Sequence, residues 1–542
     1  MAKKELIELK EYIVLALILL SISVASAQDW PMVNYDNAMS RHSPQTLISK
    51  NNVNQLQVKW ILNTNSSIEN SPLIVGKTGY CQNNNYMQVI AFDMDTGLTK
   101  WKYSPNFTSL SVGRGGFSHG MLCENGIIYA PTGTAGTVVA LNATNGTVIW
   151  ESPPVQPIGG AFQMVAPPLI WKNLVIAGSA GGDEPPFGIP ARGSVTGLDK
   201  KTGKIVWQTK TAVGAWVEGN NTSMNGGATA WSGGSIDTEK GIAYLPCGNA
   251  APDMTAVTRP GPNLYINNII ALNLTDGKIL WNTPLVAQGT VFNVSLPDLH
   301  DWDPSFGTTL ATMDLGKEPQ KIVIGHDKRG DIIAMNATTG KPIWLKTLGV
   351  VYRDSAAPAT NGSGVVWPGT QNGVEAYTAA DNSTAYAGVS NTGVIFYLGP
   401  GVEGHVVPAF DAMPNGVGNG SIVALDLKTG KIKWEYKTDF PTWCSPLVTN
   451  GLVFSGHITA TGKPYMYNAF AAATDTPQIS SGIIMALDAD SGKELWEFNV
   501  GAPVGIGGPS IGDGMLLVPT GSPAEIGANP GGYIVAFGLP KK

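Results

Sequence analysis

The sequence of 542 residues is poor in charge and in cysteine. It has 34 Lys and Arg against 40 Asp and Glu, a formal net charge of −6, and no basic run after residue 10. A nucleic-acid partner is therefore not expected, since proteins of that kind carry clustered positive charge. The 4 cysteines are widely separated and none lies in a C-x-x-C-H motif. That absence predicts no covalently attached haem.

Long apolar runs are also scarce, and the exception lies at the N-terminus. The run from Ile13 to about Val24 follows three lysines and precedes the small residues Ala-Ser-Ala at 25–27. This pattern predicts a signal peptide over residues 1–27 and a mature chain over 28–542. Three glutamates offset the lysines, so an uncleaved membrane anchor is the alternative. We expect an exported protein that is periplasmic, extracellular or held on the outer face of the cell membrane.

The sequence is rich in one repeated unit. In residues 422–434, apolar residues alternate as in a strand, Asp426 and Gly430 supply a turn, and Trp434 ends a second strand. The spacing is a small residue, Asp or Asn two positions later, Gly six later and Trp ten later. Complete copies of this β-hairpin end at seven tryptophans, which are Trp101, Trp150, Trp207, Trp281, Trp344, Trp434 and Trp496.

The two ends of the chain each carry half of this hairpin. Residues 533–539 have the first strand but neither turn nor Trp, and a strand that ends at Trp60 has the second half. Pairing the halves in one blade would close a ring and remove its exposed edges. Repeats of this length leave room for four strands each. The sequence predicts an all-β fold, an eight-bladed β-propeller with Trp-ended blade repeats, closed by pairing of the N- and C-terminal strands.

Cysteine pairing is a further expectation from this arrangement. Cys81 and Cys123 fall in neighbouring blades, and export would permit a disulfide between them. The alternative is that both are unpaired and serve as small apolar residues.

Polar residues that the repeat does not explain lie near the ends of apolar strands. Glu69 precedes a strand of the first blade, and Arg114 lies among glycines before the second. Asp183 and Glu184 lie in a Gly-rich turn of the third blade, which would let a carboxylate project toward a cation. Each of these residues, taken alone, also has an ordinary interpretation as a solvated strand end or an exposed loop residue.

The fourth blade carries the densest set of such residues. Trp231 lacks the blade-end pattern, and Asn249 follows eighteen residues later at the end of an apolar strand. The segment His-Asp-Trp-Asp at 300–303 comes next. Lys328 and Arg329 then stand at the head of a strand that we assign to the sixth blade.

Together, these residues resemble the sites of the pyrroloquinoline-quinone (PQQ)-dependent alcohol dehydrogenases, the methanol dehydrogenase-like quinoproteins. Those enzymes are eight-bladed propellers. Trp231 would stack under the cofactor ring, since in the family a stacking Trp stands eighteen residues before the Asn that ligates the metal. The resemblance implies that the quinone is bound by Glu69, Arg114, Trp231, Lys328 and Asn391, the last in a blade numbered seven.

The resemblance also assigns the metal ligands and the base. Asn249 and a carboxylate of the Gly-rich turn, Asp183 or Glu184, would hold the ion. Asp303 would be the catalytic base, because it directly follows a tryptophan as the base does in the family's H-D-x-W-D motif. One residue of that motif is missing here, which leaves Asp301 as the alternative base.

Three departures from the family are visible. Gly115, Gly116 and Phe117 occupy the region of the family's adjacent cysteine pair, which covers one face of the cofactor. Val165 stands where a Thr usually bonds the cofactor. Ser305 stands where lanthanide-using members have a second Asp, which favours calcium as the metal.

These residue types suit the oxidation of an alcohol. A base takes the hydroxyl proton, the quinone accepts the hydride, and oxygen ligands hold a calcium ion that polarises the quinone. The resemblance therefore implies an exported, PQQ- and calcium-dependent dehydrogenase that converts an alcohol to an aldehyde or ketone. Its electrons would pass to a separate acceptor such as a cytochrome or a small redox protein.

Two other interpretations stay open at this point. The Trp-ended hairpin also occurs in non-enzymatic assembly scaffolds, so the chain could be a non-catalytic, PQQ-like propeller that serves as a scaffold or binding protein. A polymer- or sugar-oxidising member of the same superfamily is the third interpretation. An enzyme, unlike a scaffold, has a reason to bring together Glu69, Trp231, Asn249, Asp303 and Lys328.

Overall fold

The structure is a computed structural model, and it describes most of the chain after residue 28. The predicted signal peptide at residues 1–27 lies outside the described ranges, so its prediction stays open. Within those ranges, no helix has the length and apolar character needed to cross a membrane. The described residues are 29–84, 86–106, 118–133, 135–155, 165–180, 193–212, 226–251, 264–285, 303–314, 318–350, 362–366, 372–398, 418–460, 479–521 and 532–541.

Eight four-stranded antiparallel sheets form the blades of a β-propeller, and the only helical element described is a 3-10 turn, Val53–Gln55. The strands of each blade follow the chain from the innermost to the outermost. Blade one contains Leu73–Val75, Thr78–Gln82, Val89–Asp93 and Thr99–Tyr103; blade two contains Leu122–Glu124, Ile127–Pro131, Val138–Asn142 and Val148–Glu151. Blade three contains Leu169–Trp171, Leu174–Gly178, Ser194–Asp199 and Ile205–Lys210; blade four contains Ser235–Asp237, Ile242–Cys247, Asn268–Asn273 and Ile279–Pro284.

The second half of the ring repeats this plan, and the ring also carries one short parallel strand and two extra strand pairs. Blade five contains Thr309–Asp314, Pro319–His326, Asp331–Asn336 and Pro342–Thr347; blade six contains Ala379–Ala380, Thr384–Asn391, Asn419–Asp426 and Ile432–Thr438. Blade seven contains Leu447–Thr449, Leu452–Ala460, Ile479–Asp488 and Glu494–Asn499, and the short strand His42–Ser43 runs parallel to its first strand. Two extra strand pairs join Gly226–Gly227 to Ala250–Ala251 and Gly362–Val366 to Val394–Leu398.

Blade eight is assembled from both ends of the chain. Its strands are Ser510–Gly512, Met515–Pro519, Tyr533–Gly538 and Gln57–Asn63. In the closing pair, Trp60 lies opposite Ala536 in an antiparallel register. The predicted eight-bladed, all-β fold and its closure are therefore confirmed.

The blade numbers of two predicted site residues need correction. Lys328 lies in the turn between the second and third strands of blade five, not in blade six, and Asn391 ends a strand of blade six, not of blade seven. The reason is that Trp281 ends the fourth hairpin, so the chain from Thr309 onward already belongs to blade five.

The repeated Trp and Gly of the hairpin make contact between blades rather than within one blade. Trp344 of blade five donates its indole N–H to the carbonyl oxygen of Leu427 in blade six, at 2.8 Å. Gly430, in the same turn, has φ of 66°, and a Cβ there would lie 2.6 Å from the Trp344 ring. Glycine is required at position 430 for two reasons, because the turn has a positive φ and because the tryptophan ring packs against the position of a Cβ. The same contact joins seven successive blade pairs through Trp60–Gly97, Trp101–Gly146, Trp150–Gly203, Trp207–Gly277, Trp281–Gly340, Trp344–Gly430 and Trp434–Gly492.

The eighth interface, between blades seven and eight, is built differently. The half-hairpin of blade eight has no turn on which Trp496 could dock. Trp496 instead packs edge-on against Phe537, with ring centroids 5.3 Å apart, and Phe498 packs on the same ring at 5.0 Å. An aromatic cluster therefore replaces the Trp–Gly contact where the ring closes.

Residues 29–43, at the start of the described chain, cross the innermost strands of the ring. They bond in turn to the innermost strands of blades one, two, four, five, six and seven. The described pairs are Trp30 with Ile74, Met32 with Leu122, Asn37 with Ile236, Ala38 with Leu310, Ser40 with Ala380, and His42–Ser43 with Val448–Thr449. We call residues 29–43 the crossing segment.

Arg41 is the hub of the crossing segment. Its guanidinium is fully buried and donates hydrogen bonds to Asn34 Oδ1 at 2.8 Å, Ser71 Oγ at 2.9 Å and the Pro509 carbonyl at 2.9 Å. Burial lowers the pKa of Arg41 to about 10, so it stays charged at neutral pH. One buried cation thus ties the crossing segment to blades one and eight.

The predicted disulfide between Cys81 and Cys123 is wrong, because both thiols are buried and free. Cys81 packs with Trp60 and Phe537 in the core between blades eight and one. Cys123 packs with Tyr80 in the core between blades one and two. The two side chains therefore face different blade interfaces.

Candidate active site

Blades four and five carry the candidate site on the segments that flank their inner strands. Trp231 precedes Ser235–Asp237, and Asn249 directly follows Ile242–Cys247 and Gly248. Asp303 leads into the first strand of blade five, and Lys328 lies in that blade's second turn. All four come from places where the chain departs from the Trp-ended hairpin.

Asp303 is the centre of the group. Its Oδ1 accepts a hydrogen bond from the Asn249 backbone N–H at 2.5 Å, and its Oδ2 lies 3.4 Å from Lys328 Nζ. Lys328 also donates its backbone N–H to the Asp303 carbonyl oxygen at 3.1 Å. Asp303 and Lys328 are both buried, with 6% and 8% of their surface exposed. A carboxylate and an ammonium group are thus held together away from bulk water.

Gly248 lets the tryptophan approach this pair. A Cβ at position 248 would lie 2.9 Å from Asp303 Oδ1 and 2.9 Å from Trp231 Nε1, so a larger residue would force them apart. Lys328 Nζ lies 5.8 Å from the centroid of the Trp231 ring, within cation–π range. Trp231, Asn249, Asp303 and Lys328 therefore lie together around one glycine.

The turn that presents Lys328 is held by its own charges. Asp327 Oδ1 accepts the backbone N–H of Asp331 at 2.9 Å, and Arg329 donates to the Asp331 carboxylate and to the Leu285 carbonyl at 3.0 Å. Burial raises the pKa of Asp327 to about 7, against the opposing effect of Arg329. Arg329 thus stabilises the turn, and Lys328 contacts Asp303.

Glu69 lies in a neighbouring loop. It is buried, with 3% of its surface exposed. The next residue, Asn70, donates to the carbonyl oxygens of Gln82 at 2.7 Å and Ser118 at 3.2 Å. Ser118 precedes His119, which bonds the Trp231 carbonyl. The described contacts therefore connect the Glu69 loop to the site through Ser118 and His119.

The side chain of Asn391 makes its described hydrogen bonds outside this group of residues. Its Oδ1 accepts the backbone N–H of Val350 at 2.9 Å, and its Nδ2 donates to Asn419 Oδ1 at 2.7 Å. Asn372, which the sequence did not single out, is nearer to the group because its Nδ2 donates to the Lys328 carbonyl at 3.1 Å. Its Oδ1 accepts the backbone N–H of Thr392 at 2.7 Å. No motif distinguishes Asn372 in the sequence.

The predicted metal ligands are only partly described. Asn249 is buried beside Asp303, whereas Asp183 and Glu184 lie outside the described residues, as does the predicted cofactor contact Arg114. Among the residues that the structure does describe, no three His, Cys, Asp or Glu side chains form a metal-binding group. The ligand set therefore stays a prediction.

The buried polar atoms around Gly248 fit a bound polar group. Trp231 Nε1, Thr229 Oγ1 and both side-chain polar atoms of Asn267 are buried and have no hydrogen-bond partner in the described structure. Thr229 and Asn267 each bond Gly248 through their backbones, at 2.9 and 3.1 Å. Buried polar groups are nearly always paired in native proteins. A planar cofactor rich in carbonyl and carboxylate oxygens, such as a quinone, offers acceptors for the donors among these atoms, which are Trp231 Nε1, Thr229 Oγ1 and Asn267 Nδ2.

Comparison with known proteins identifies the family. The family model for the β-propeller domain of glucose, ethanol and alcohol dehydrogenases that use PQQ matches residues 30–353, more than half of the chain. The chain belongs to this PQQ-dependent dehydrogenase family. A second model, for the outer membrane protein assembly factor BamB, matches residues 267–465.

Individual relatives agree with this assignment. The quinoprotein alcohol dehydrogenase PedH of Pseudomonas putida is 26% identical over 93% of this chain and 89% of its own length. The quinohemoprotein alcohol dehydrogenase ADH IIB of the same species is 25% identical over 87% of this chain and 69% of its own length. A quinohemoprotein alcohol dehydrogenase of Comamonas testosteroni is 26% identical over 60% of this chain, and the match spans about half, 47%, of that relative.

Solved structures share the fold of this family member. A europium-containing methanol dehydrogenase superposes with a TM-score of 0.73 at 20% identity, over 94% of this chain and 98% of that one. The Comamonas testosteroni enzyme gives a TM-score of 0.73 at 20% identity, over 97% and 83% of the two chains. The predictions of a PQQ-dependent alcohol dehydrogenase family member and of an oxidoreductase are confirmed.

The prediction that this protein has no covalently attached haem is contradicted by the family. Relatives from Pseudomonas putida and Comamonas testosteroni are named quinohemoproteins. The prediction rested on a missing sequence motif alone, and the matched regions span only 69% and 47% of those two relatives. The exclusion of haem is therefore withdrawn, while an alcohol substrate agrees with the names of the relatives.

Proposed function

We propose that this protein is an exported dehydrogenase that oxidises an alcohol to an aldehyde or ketone with PQQ and calcium, and that Asp303 is its general base. The observation that carries the proposal is the convergence of Trp231, Asn249, Asp303 and Lys328 around Gly248. These residues come from two blades, and a scaffold would have no reason to bury a Lys–Asp pair against a tryptophan.

Asp303 is equipped to accept a proton from an alcohol. The Asn249 N–H and the Lys328 ammonium both stabilise negative charge on its carboxylate. The contact with Lys328 is long at 3.4 Å, and a substrate hydroxyl can compete for Oδ2. Burial strengthens each of these interactions, because little water is present to screen them.

Trp231 and Lys328 would hold the cofactor. The Trp231 indole is a flat apolar surface with a free N–H donor at its edge, and Lys328 supplies the positive charge that an anionic planar group needs. Bound PQQ would supply the acceptor for the hydride that leaves the alcohol carbon. Glu69 and Arg114 are the proposed additional contacts, as the resemblance implies.

Calcium would be held by oxygen ligands. Asn249 offers an amide oxygen, and Asp183 or Glu184 offers a carboxylate, which are ligands that calcium prefers. Ser305 is a buried neutral residue two positions after Asp303, so this position adds no second negative charge. A divalent ion suits that lower charge better than a trivalent one does.

Reconstitution of the purified mature protein tests this proposal. The chain is incubated with PQQ and CaCl2, and the absorption of the bound quinone is recorded before primary alcohols, secondary alcohols and aldoses are offered with an artificial electron acceptor. We expect quinone binding and oxidation of at least one alcohol. Failure of every donor in protein that has bound the quinone contradicts the proposal.

A second candidate function follows from one specific observation, the match of the BamB model to residues 267–465. If the purified chain binds no quinone at any calcium concentration, a non-catalytic scaffold function accounts better for the propeller. The same reconstitution thus separates the two candidates.

A further inference from the structure

Trp231 rests on a bed of aromatic rings that come from other blades. His119 and Phe306 both contact the indole edge-on, with centroids 5.3 and 5.1 Å from it. Phe306 also packs against His119 at 4.6 Å and against Tyr377 at 5.3 Å. Trp231 belongs to blade four, whereas these three rings precede the innermost strands of blades two, five and six. The bed therefore gathers residues from across the ring.

The backbone beneath the indole is fixed by the same residues. His119 Nδ1 lies 3.1 Å from the Trp231 carbonyl oxygen, and the Tyr377 hydroxyl donates to the next carbonyl, that of Ser232, at 3.0 Å. Ser232 Oγ donates to the Ser305 carbonyl at 3.2 Å and accepts the backbone N–H of Gly307 at 3.1 Å. Two consecutive carbonyls are thus held by side chains from blades two and six.

Both side chains have the protonation state that these bonds need. Burial lowers the pKa of His119 to about 4, so the imidazole is neutral at pH 7 and its single proton can reside on Nδ1. Burial raises the pKa of Tyr377, against opposing effects of Arg41 and Asn34 in the crossing segment, so its hydroxyl stays a donor. The bonds therefore persist throughout the neutral range.

We propose that His119 and Tyr377 are positioning residues, which hold the Trp231–Ser232 backbone so that the indole lies in the orientation that receives the cofactor. The inference rests on the proposed function for the identity of the cofactor, but the orientation of Trp231 can be measured without it. Neither residue belongs to a motif discussed above.

A matched pair of tyrosine variants tests this role. Tyr377→Phe removes one buried hydroxyl that bonds a backbone carbonyl. Tyr80→Phe removes the same group in blade one, where the hydroxyl of Tyr80 bonds the Ala143 carbonyl at 3.1 Å, away from the bed. Both tyrosines are almost fully buried, so the chemical change and the expected loss of stability are alike. His119→Phe is a third variant, which keeps an aromatic ring and removes the donor.

The first measurement needs no cofactor. The protein is labelled with fluorotryptophan, and the resonance of Trp231 among the 15 tryptophans is assigned by its absence in Trp231→Phe. We expect Tyr377→Phe and His119→Phe to shift or broaden that resonance, whereas Tyr80→Phe leaves it in place. An unmoved Trp231 resonance in both site variants overturns the inference.

The second measurement is the Kd for PQQ in the presence of calcium, followed by quinone absorption. Loss of one hydrogen bond that orients the indole should raise the Kd by about fivefold in Tyr377→Phe, with no comparable change in Tyr80→Phe. Equal Kd values for the two variants count against the inference. If wild-type protein binds no PQQ, the proposed function fails, and the fluorine resonance alone decides whether His119 and Tyr377 position Trp231.

Discussion

Tryptophan has two different roles in this protein, one at the outermost strands of the blades, which we call the rim, and one at the candidate active site. At the rim, Trp344 packs its ring on Gly430 of the next blade and donates its indole N–H to the Leu427 carbonyl at 2.8 Å. At the site, Trp231 lies on aromatic rings, and its buried indole N–H has no acceptor in the described structure. The indole N–H is therefore hydrogen-bonded at the rim, whereas at the site it has no acceptor among the described residues.

This difference separates residues that stabilise the ring from residues kept for a ligand. A rim tryptophan gains apolar contact and a hydrogen bond, so it contributes to stability by itself. Trp231 leaves a donor unmet, which costs stability unless a bound group supplies an acceptor. Departures from the repeat therefore mark function, whereas adherence to it marks the fold.

The largest effect expected is on the site side of this comparison. Asp303→Asn keeps the shape of the side chain and one oxygen that can accept the Asn249 N–H, but it loses the contact with Lys328 and the proton acceptor. Turnover should therefore fall by roughly two to four orders of magnitude. Quinone binding should survive. Steady-state rates and quinone absorption are measured side by side.

Two controls accompany that variant. Asp276→Asn changes a carboxylate in an exposed blade turn and should leave turnover unchanged. Asp301→Asn tests the alternative base, and it should cost far less than Asp303→Asn. If the two site variants behave in the reverse order, Asp301 is the base.

The next largest effect is a loss of stability at the rim. Trp344→Ala removes a ring that is 9% exposed and leaves a cavity against Gly430, so the free energy of unfolding should fall by about 3–5 kcal/mol. Trp231→Ala should lower stability by less and abolish quinone binding. Urea denaturation provides the first quantity and absorption the second. A larger loss of stability at position 231 than at 344 would remove the distinction drawn here.

Acid should lower the free energy of unfolding of the protein through two buried histidines. Burial lowers the pKa of His119 and of His326 to about 4, from an ordinary value of 6.5. Between pH 6.5 and 4 the unfolded chain binds protons that these folded histidines do not, so the free energy of unfolding falls as the pH falls. The slope is about 1.4 kcal/mol per pH unit for each histidine. Asp327 opposes part of it, because its raised pKa of about 7 leaves the folded carboxyl protonated where the unfolded one is ionised.

Denaturation midpoints at pH 7.5, 6.5, 5.5 and 4.5 measure this slope. His326→Gln should lose stability less steeply than the wild type over the same window, since one buried histidine no longer has to be kept neutral. His42→Gln is the control, because His42 is only partly buried. Parallel curves for His326→Gln and the wild type would contradict the prediction.

The smallest effect sharpens the comparison to one hydrogen bond. Trp344→Phe keeps an aromatic ring and loses the indole N–H that bonds Leu427, which should cost about 1 kcal/mol beyond the change in ring size. Trp231→Phe loses an N–H that the protein does not use, so its stability should change less while its Kd for PQQ rises. Equal loss of stability in the two variants would show that the Trp231 N–H has a partner within the protein.

Much of the fold could be predicted because the hairpin is a local pattern. The strand, the turn around Gly430 and the Trp lie within thirteen residues, and the half-hairpins at the two chain ends revealed the closure. The pattern did not reveal that each Trp docks on the following blade, because neighbouring hairpins have the same Trp and Gly. Counting blades from it also misplaced Lys328 and Asn391 by one.

The site was predictable only where a residue stands out from its surroundings. Trp231 and Asp303 do so, whereas His119 and Tyr377 do not. Their bonds to the Trp231–Ser232 backbone arise from segments more than a hundred residues away, 112 for His119 and 145 for Tyr377, which only closure of the ring brings near. Cys81 and Cys123 face different blade interfaces, which likewise could not be predicted without the strand pairing.

The crossing segment has a consequence for how the protein is made. Arg41 emerges from the ribosome early in synthesis, yet Pro446, whose carbonyl its Nε bonds, follows 405 residues later. A buried guanidinium without acceptors is strongly unfavourable, so the segment cannot settle until blades seven and eight exist. Contacts so distant in sequence also form slowly. A chain that stops short of its last blades therefore lacks acceptors for Arg41 at its start as well as a closing strand pair at its end.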